Sequence, residues 1–232
     1  MFVVEGVRAA EELVKSPLRI VGALASPQLL SSDRGLALRD SLASRSVEVA
    51  HVTAAEFESA AETDTPQGIL VIAATPERAL HHFAASDPSR FLVLDGVQDP
   101  GNVGTLLRTA AALGTTATLA LPGTVDLWNA KVVRSAMGAH FVHPALHCTW
   151  DELRLFLDAS RVPLWGSDAE GTSAHRSSAP SRLALAVGNE GAGLSAHVRD
   201  AAERVVSLPL ASGVESLNVA VAAGILLYEL RP

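Results

Sequence analysis

An apolar strand that runs directly into a loop of glycine, aspartate and proline constrains the fold of this chain more than any other segment. The sequence predicts a strand over residues 91–95 and a helix over residues 102–113, with Asn102 as the N-cap. A loop that follows a parallel strand tends to hold a ligand, and a helix N-terminus attracts anions. Arg108 lies two turns into the helix, alone among apolar neighbours. The segment therefore predicts an α/β fold with a binding site at the carboxyl end of a strand.

The rest of the chain also alternates strand and helix patterns. Apolar strands between amphipathic helices imply, for residues 89–232, a parallel sheet that is covered on both faces. The sequence Asp87-Pro88-Ser89 is the predicted linker to a smaller α/β domain over residues 1–86. The predicted strands cover residues 18–24, 47–52, 68–73, 91–95, 116–121, 162–167, 183–187 and 205–208, and the predicted helices cover residues 5–15, 33–43, 102–113, 127–137, 150–159, 196–202 and 217–230.

The composition is that of a folded protein that does not attract nucleic acid by its bulk charge. Of 232 residues, 48% are apolar, and 18 Lys and Arg against 25 Asp and Glu give a formal charge of −7. Any RNA contact must therefore be a local patch. The longest apolar run, residues 219–228, is too short to span a bilayer, and the N-terminus lacks the pattern of a signal peptide. We expect a cytoplasmic protein without membrane contact.

Metal and disulfide chemistry are not expected. Cys148 is the only cysteine, which excludes an internal disulfide and a CxxC metal site. A buried small side chain is its expected role. The eight histidines show no ligand spacing on one element, so we predict no metal site.

A second glycine-rich loop follows the predicted strand at residues 183–187. It carries Gly188, Gly191 and Gly193 in the order G-x-x-G-x-G, which is not the dinucleotide-binding order G-x-G-x-x-G. A tight turn explains the glycines, but it does not explain Asn189 and Glu190 between them.

A third loop follows Pro209 and ends at Ser216, Leu217 and Asn218, where an apolar helix begins. Ser216 or Asn218 suits the N-cap position, and capping alone would explain one such residue. Two polar side chains that flank Leu217 at the start of a buried helix are equally suited to a ligand.

Taken together and in this order, the three loops resemble the three motifs of the SpoU branch of the SPOUT RNA methyltransferases. The matching segments are residues 95–104 with Arg108, residues 188–195, and Leu208-Pro209 with residues 216–220. Residues 131–139 resemble a stretch that the family shows between the first two motifs. Residues 2–6 and 67–69 resemble, more weakly, the ribosomal-protein-L30e-like domain that precedes the catalytic domain in many members.

This resemblance implies a fold, a partner and a cofactor. Family members are homodimers, and their α/β catalytic domain has a C-terminal segment threaded through a loop as a trefoil knot. The implied cofactor is S-adenosyl-L-methionine. The implied cofactor-binding residues are Gly188, Asn189, Gly191, Leu208 and Leu217, and the implied catalytic-site residues are Arg108, Asn102, Glu190, Ser216 and Asn218.

The resemblance also implies methyl transfer to a ribose 2′-hydroxyl of RNA. Alignment of the hydroxyl with the methyl donor is worth roughly 7–11 kcal/mol. The family assigns loss of the hydroxyl proton to the arginine at Arg108, and because a guanidinium keeps its proton we expect Arg108 to stabilise the developing alkoxide. The other four polar residues would orient Arg108, the ribose or the cofactor. Lys131 and Arg134 are candidates for phosphate contacts, and a solvated helix face explains them as well.

Several functions are compatible with the sequence. Ribosomal RNA is favoured over transfer RNA, because the front domain resembles that of relatives that modify ribosomal RNA. A non-catalytic RNA-binding or ribosome-assembly factor that retains the fold is disfavoured by the intact Arg108, Glu190, Ser216 and Asn218. A nucleotide-dependent enzyme of the doubly wound type is disfavoured by the glycine order.

Overall fold

The chain forms two compact units. The structure, a computed structural model, describes residues 1–83, 87–174, 178–214 and 216–231. The first unit contains Met1–Glu77 together with Trp128–Val142, and the second contains Arg78–Leu127 and His143–Pro232. The predicted end of the front domain, residue 86, lies outside the described residues.

The elements alternate along the chain much as the sequence predicts. The described strands are β1 (Phe2–Glu5), β2 (Ile20–Ala25), β3 (Val49–His51), β4 (Ile69–Ala73), β5 (Ser89–Asp95), β6 (Ala117–Ala120), β7 (Ala145–His147), β8 (Leu164–Ser173), β9 (Arg182–Gly188) and β10 (Arg204–Ser207). The described α-helices are α1 (Val7–Lys15), α2 (Asp33–Ser44), α3 (Ala54–Ala60), α4 (Pro100–Ala112), α5 (Ala130–Ser135), α6 (Trp150–Ser160), α7 (Ala196–Ala201) and α8 (Val219–Glu229).

The first unit has a mixed sheet in the order β1-β4-β2-β3. Strand β4 runs antiparallel to both β1 and β2, and β2 runs parallel to β3. Two aromatic residues from the later segment of this unit complete its core. The ring centroid of Phe2 lies 4.5 Å from that of Trp128 and 6.1 Å from that of Phe141. By packing, residues 128–142 thus go with the first unit, although in sequence they lie well inside the second.

The second unit confirms the predicted parallel sheet. Its six strands follow the order β10-β8-β9-β5-β6-β7, and every described pair is parallel. Strand β5 lies near the middle, and its residues from Phe91 to Leu94 are almost completely buried. Burial on both faces explains why this strand reads as a continuous apolar run.

Local start signals explain most of the helix boundaries. Ser32 caps α2, and Thr53 and Thr149 open α3 and α6 with capping boxes. Of the two predicted N-cap candidates for α8, Ser216 and Asn218, the structure shows Asn218 as the cap.

The prediction that Asn102 caps α4 is wrong. The helix begins two residues earlier, at Pro100, and Asp99 is the N-cap, since its Oδ1 accepts a hydrogen bond of 2.7 Å from the Asn102 backbone N–H. Proline suits the first helical turn because its φ angle is preset and it has no N–H to satisfy. The side chain of Asn102 is therefore not used as a cap. Strand β7 was not predicted, because three residues are too few to show a periodicity.

Candidate active site

Two of the three motif loops begin side by side at the carboxyl edge of the parallel sheet. Asp95, the last residue of β5, lies opposite Gly188 at the end of β9. A cleft of about 500 Å³ opens beside the β9 loop. Its other walls come from the middle of β8 and from the chain between β10 and α8. The position agrees with the rule that ligands bind outside the carboxyl ends of parallel strands.

Most of the predicted site residues line this cleft. They are Gly188, Asn189, Gly191, Leu208 and Leu217 from the cofactor set, and Glu190, Ser216 and Asn218 from the catalytic set. Asn102 and Arg108 are not among the lining residues. Asn102 joins the cleft through hydrogen bonds, whereas Arg108 lies on the exposed side of α4.

The turn after β9 requires glycine at one position and uses an asparagine to hold its shape. A Cβ atom on Gly188 would lie 2.2 Å from the carbonyl carbon of Gly193, a distance that no side chain tolerates. The backbone N–H groups of Asn189 and Gly193 each donate to the other residue's carbonyl at 2.9 Å. The Asn189 side chain accepts from the Gly191 N–H and donates to the Gly96 carbonyl, both at 2.9 Å. Its amide therefore stabilises the loop, and a ligand would meet the backbone.

Glu190 ties this turn to the loop before α4. Its carboxylate accepts hydrogen bonds from the backbone N–H groups of Gln98 and Asp99, each at 3.3 Å, and from Asn102 Nδ2 at 3.0 Å. Partial burial raises the pKa of Glu190, but these hydrogen bonds outweigh it, and the pKa lies below its usual value. Glu190 is therefore an ionised anchor at the α4 N-terminus and is unsuited to hold a proton near neutral pH.

A second hydrogen bond extends this anchor to the third loop. Asn218 Nδ2 donates to Asn102 Oδ1 at 2.8 Å, while Asn218 Oδ1 accepts from the Ala220 N–H at 2.9 Å. A carboxylate can only accept, so Asn102 must turn its NH₂ group to Glu190 and its oxygen to Asn218. The row Glu190–Asn102–Asn218, here called the polar bridge, thus joins one residue from each of the three motifs with every amide in a defined orientation.

The remaining wall of the cleft suits a ligand that is partly apolar. Leu208, Leu210 and Leu217 line it, and the last two are more than one-third exposed. The loop glycines present backbone N–H and C=O groups, and a Cβ on Gly191 would meet only Asn189 Oδ1, at 3.7 Å. Small-molecule sites combine apolar walls with a few fixed polar groups in volumes of about 300–1,000 Å³. The cleft therefore suits a small molecule that is partly apolar and partly polar.

The sequence analysis missed Asp168. This residue lines the cleft from β8, and its carboxylate forms an ion pair with the guanidinium of Arg199. Asp168 is the first acidic residue after the apolar start of its strand, which is the signal that could have identified it.

Comparison with known proteins assigns the chain to a family. The SpoU rRNA methylase family model matches residues 89–228. The chain belongs to the SpoU rRNA methylase family. A second model, the MRM3-like substrate binding domain, matches residues 1–71 of this SpoU family member. These matches confirm the resemblance inferred from the three motifs.

Individual relatives of this SpoU family member have informative names. The 23S rRNA (guanosine(2553)-2′-O)-methyltransferase RlmP of Bacillus subtilis is 35% identical over an alignment of 232 positions, which covers 99% of this chain and 88% of that protein. The structure of the SpoU methyltransferase AviRb from Streptomyces viridochromogenes in complex with AdoMet matches with a TM-score of 0.86 at 27% identity, over 98% of this chain and 88% of that one. An AdoMet-bound rRNA methyltransferase from Sinorhizobium meliloti matches with a TM-score of 0.84 at 26% identity, over 98% and 85% of the two chains.

The other residues considered in the sequence lie outside the cleft of this SpoU family member. Lys131 and Arg134 are exposed on α5, in the first unit. Cys148 is buried, and burial together with the charge of Glu152 raises the pKa of its thiol to about 12. Within residues 1–83, 87–174, 178–214 and 216–231, no three His, Cys, Asp or Glu side chains are grouped to hold a metal. Across the same ranges, no helix has both the length and the apolar character to cross a bilayer.

Proposed function

We propose that this SpoU family member methylates a ribose 2′-hydroxyl of 23S ribosomal RNA with S-adenosyl-L-methionine as donor. The observation that carries the proposal is the polar bridge, which links the three motif loops beside a cleft of suitable size and lining. RlmP and the RlmB proteins, at 30–36% identity, are named as guanosine 2′-O-methyltransferases of 23S rRNA. These names favour a guanosine as the acceptor nucleotide.

The cofactor would be held mainly by backbone and apolar groups. The turn Gly188–Asn189–Gly191 would present N–H and C=O groups to it, and Leu208 and Leu217 would cover its planar base. When bound, S-adenosyl-L-methionine supplies an electrophilic methyl group on a positively charged sulfur. The AdoMet complexes of two structurally similar relatives support this assignment.

The polar bridge would position the reacting groups. An ionised Glu190 fixes the Asn102 amide, and Asn102 in turn fixes Asn218 at the rim of the cleft. Ser216, which also lines the cleft, would contact the ribose or the polar end of the cofactor. The bridge would therefore act on the chemistry by orientation, which can contribute roughly 7–11 kcal/mol.

Arg108 would stabilise the negative charge that develops on the ribose oxygen, and it would do so across a dimer. It is exposed on α4 and does not line the cleft of its own chain. Its neighbour Thr109 packs against α8, where a Cβ on Gly224 would lie 3.2 Å from Thr109 Cγ2. We infer that Arg108 of the partner subunit completes each site.

An apolar row on α8 supports this dimer. Val221, Ile225 and Tyr228 recur at helical spacing on one side of α8, with 52%, 41% and 49% of their surfaces exposed. Exposed apolar side chains in a contiguous row mark an interface, and a second copy of the chain satisfies it symmetrically. The trefoil knot at the C-terminal segment is part of the same proposal, supported by the structural likeness to SpoU methyltransferases.

The front domain would contribute to RNA binding, and the protein would act in the cytoplasm, where bacterial ribosomes are assembled. The domain division proposed is residues 1–86 for RNA binding and 89–232 for catalysis, supported by the family models over residues 1–71 and 89–228. Lys131 and Arg134, exposed on the first unit, would meet RNA phosphates.

The deciding experiment transfers a labelled methyl group from S-adenosyl-L-methionine to unmodified 23S, 16S and transfer RNA, and then maps the modified nucleotide. We expect label on one guanosine ribose of 23S rRNA, and no label with Arg108→Ala, which should still bind S-adenosylhomocysteine. Label on transfer RNA would show that the substrate is transfer RNA and not 23S rRNA. Binding of the cofactor product without transfer to any RNA would instead indicate a factor that has kept the fold without the reaction.

A further inference from the structure

A hydrogen-bonded chain leads from a buried carboxylate to an exposed histidine outside the cofactor cleft. Asp95 is 5% exposed, and its Oδ2 accepts from both the backbone N–H of Ser195, at 2.6 Å, and the Ser195 hydroxyl, at 2.8 Å. The Ser195 hydroxyl lies 3.2 Å from Nε2 of His197. Ser195 is the N-cap residue of α7, yet its side chain makes no capping hydrogen bond. Its hydroxyl therefore contacts Asp95 and His197 and does not cap the helix.

The direction of this chain indicates which ring nitrogen of His197 donates to Ser195. The Ser195 hydroxyl has a single proton and donates it to Asp95 Oδ2. Ser195 Oγ must then accept from His197 Nε2–H. In the tautomer that carries its hydrogen on Nε2, Nδ1 is the ring atom that can accept from a ligand.

His197 stands beside a tryptophan. The ring centroids of Trp150 and His197 are 5.0 Å apart, with 60° between the ring planes. Both rings line an open groove of about 510 Å³ at the carboxyl ends of β5 and β6. Asn189 and Gly193 line both this groove and the cofactor cleft, so the turn after β9 is the wall between them. The groove also includes Gln98, whose backbone binds Glu190 of the polar bridge.

We propose that this groove binds a nucleobase of the RNA next to the nucleotide that is methylated. Single-stranded RNA is recognised by stacking of splayed bases on aromatic side chains and by hydrogen bonds to base edges. Trp150 supplies the stacking surface, and His197 Nδ1 supplies an acceptor for an amino or imino group of the base.

The wall that the groove shares with the cofactor cleft favours a base adjacent to the acceptor nucleotide as the ligand of the groove. A base in the groove and a ribose at the polar bridge would lie on the two sides of the turn after β9, since Asn189 and Gly193 line both cavities. The inference rests on the proposed function, and it adds the residues that would select the sequence around the acceptor.

The test measures methyl transfer to the mapped 23S rRNA fragment as a function of RNA concentration. Trp150→Ala should raise the KM for RNA by roughly 5- to 150-fold, which is the range for the loss of one base–aromatic stack, with little change in kcat. Trp150→Phe should restore most of the affinity. Leu155→Ala, an exposed apolar change on the same helix, should leave KM unchanged. S-adenosylhomocysteine binding should be equal in all four proteins.

A direct readout uses 2-aminopurine in the RNA fragment on either side of the acceptor nucleotide. Wild-type protein should quench one of the two positions, and Trp150→Ala should abolish that quenching. Because Trp150 also packs on the core, His197→Ala, at an exposed position, provides a variant that leaves the core intact and should likewise raise KM. Wild-type KM in both His197→Ala and a folded Trp150→Ala would overturn the groove assignment alone. Absence of methyl transfer by the wild-type protein would overturn the proposed function.

Discussion

At the scale of single residues, the site depends on side chains that hold one another. Asn102 makes one hydrogen bond with its amide nitrogen and one with its oxygen, and each bond reaches a different loop. Neither partner is near Asn102 in sequence, so its role follows from the register of β5 against β9 and from the position of α8. The motif resemblance could indicate these residues. It could not show that Asn102 joins the others, because the sequence favoured an N-cap role for it.

Substitutions at Asn218 distinguish its role as the cap of α8 from its role in the polar bridge. Asn218→Ala removes both the cap of α8 and the donor to Asn102, so the free energy of unfolding should fall by about 1 kcal/mol and methyl transfer should fall as well. Asn218→Asp keeps a capping oxygen but replaces the donor, so stability should stay within about 0.5 kcal/mol while methyl transfer falls. Urea unfolding and labelled methyl transfer measure the two effects. Full activity in Asn218→Asp would show that the bridge does not position the site.

Glu190 should contribute a pH-dependent part of the stability. Its pKa is lowered in the folded state, so its contribution is present above the usual carboxyl pKa and is lost as the pH falls through the lowered value. The difference in melting temperature between wild type and Glu190→Gln should therefore be constant above about pH 5 and shrink towards about pH 3. Glu152→Gln, which removes the lowered-pKa carboxylate of a capping box, should show the same trend without loss of methyl transfer. A difference that grows on acidification would contradict this assignment.

At the scale of elements, close backbone contacts constrain the turn after β9. Its shape follows from the mutual hydrogen bonds of Asn189 and Gly193 and from the close approach at Gly188. The sequence predicted the strand and the turn. It did not predict that Asp168 lines the cleft. The predicted strand ended with its apolar pattern at residue 167, whereas β8 continues to Ser173.

Two glycines of this turn provide a matched pair. Gly188→Ala places a Cβ 2.2 Å from the Gly193 carbonyl carbon, so the turn must move, and we expect a loss of about 1–3 kcal/mol in unfolding free energy together with weaker S-adenosylhomocysteine binding. Gly191→Ala meets only Asn189 Oδ1 at 3.7 Å and should stay within about 0.5 kcal/mol of wild type. Calorimetry on both variants measures each quantity. Equal behaviour of the two would refute the close approach as the reason for glycine.

At the scale of the whole molecule, the proposed dimer rests on the exposed apolar row on α8 and on the exposed position of Arg108 on α4. Sequence analysis gave the parallel sheet, because burial on both faces makes its strands uniformly apolar. Sequence order could not show that Trp128 and Phe141 belong to the core of the first unit, since that depends on tertiary packing across more than 100 residues.

The dimer can be tested on α8. Ile225→Asp should yield a monomer in analytical ultracentrifugation and abolish methyl transfer, because a charge in an apolar interface is unfavourable and Arg108 of the partner subunit is then absent. Leu155→Asp, a charge at another apolar residue that is 65% exposed, should leave both unchanged. Mixing Arg108→Ala with Gly191→Trp, which fills the cleft, should recover about a quarter of the wild-type activity through mixed dimers. A monomeric but fully active Ile225→Asp would place Arg108 in its own subunit's site.

The insertion of Trp128–Val142 into the first unit also bears on how the protein is made. Synthesis proceeds from the N-terminus. The aromatic contacts of Phe2 with Trp128 and Phe141 therefore form only after both later residues have been synthesised. The unit that leaves the ribosome first therefore cannot finish folding until more than half of the chain has been translated, and by then β5, α4 and β6 have also been made. A fragment that ends at Glu77 and lacks Trp128–Val142 should accordingly bind a hydrophobic dye more strongly than the intact chain.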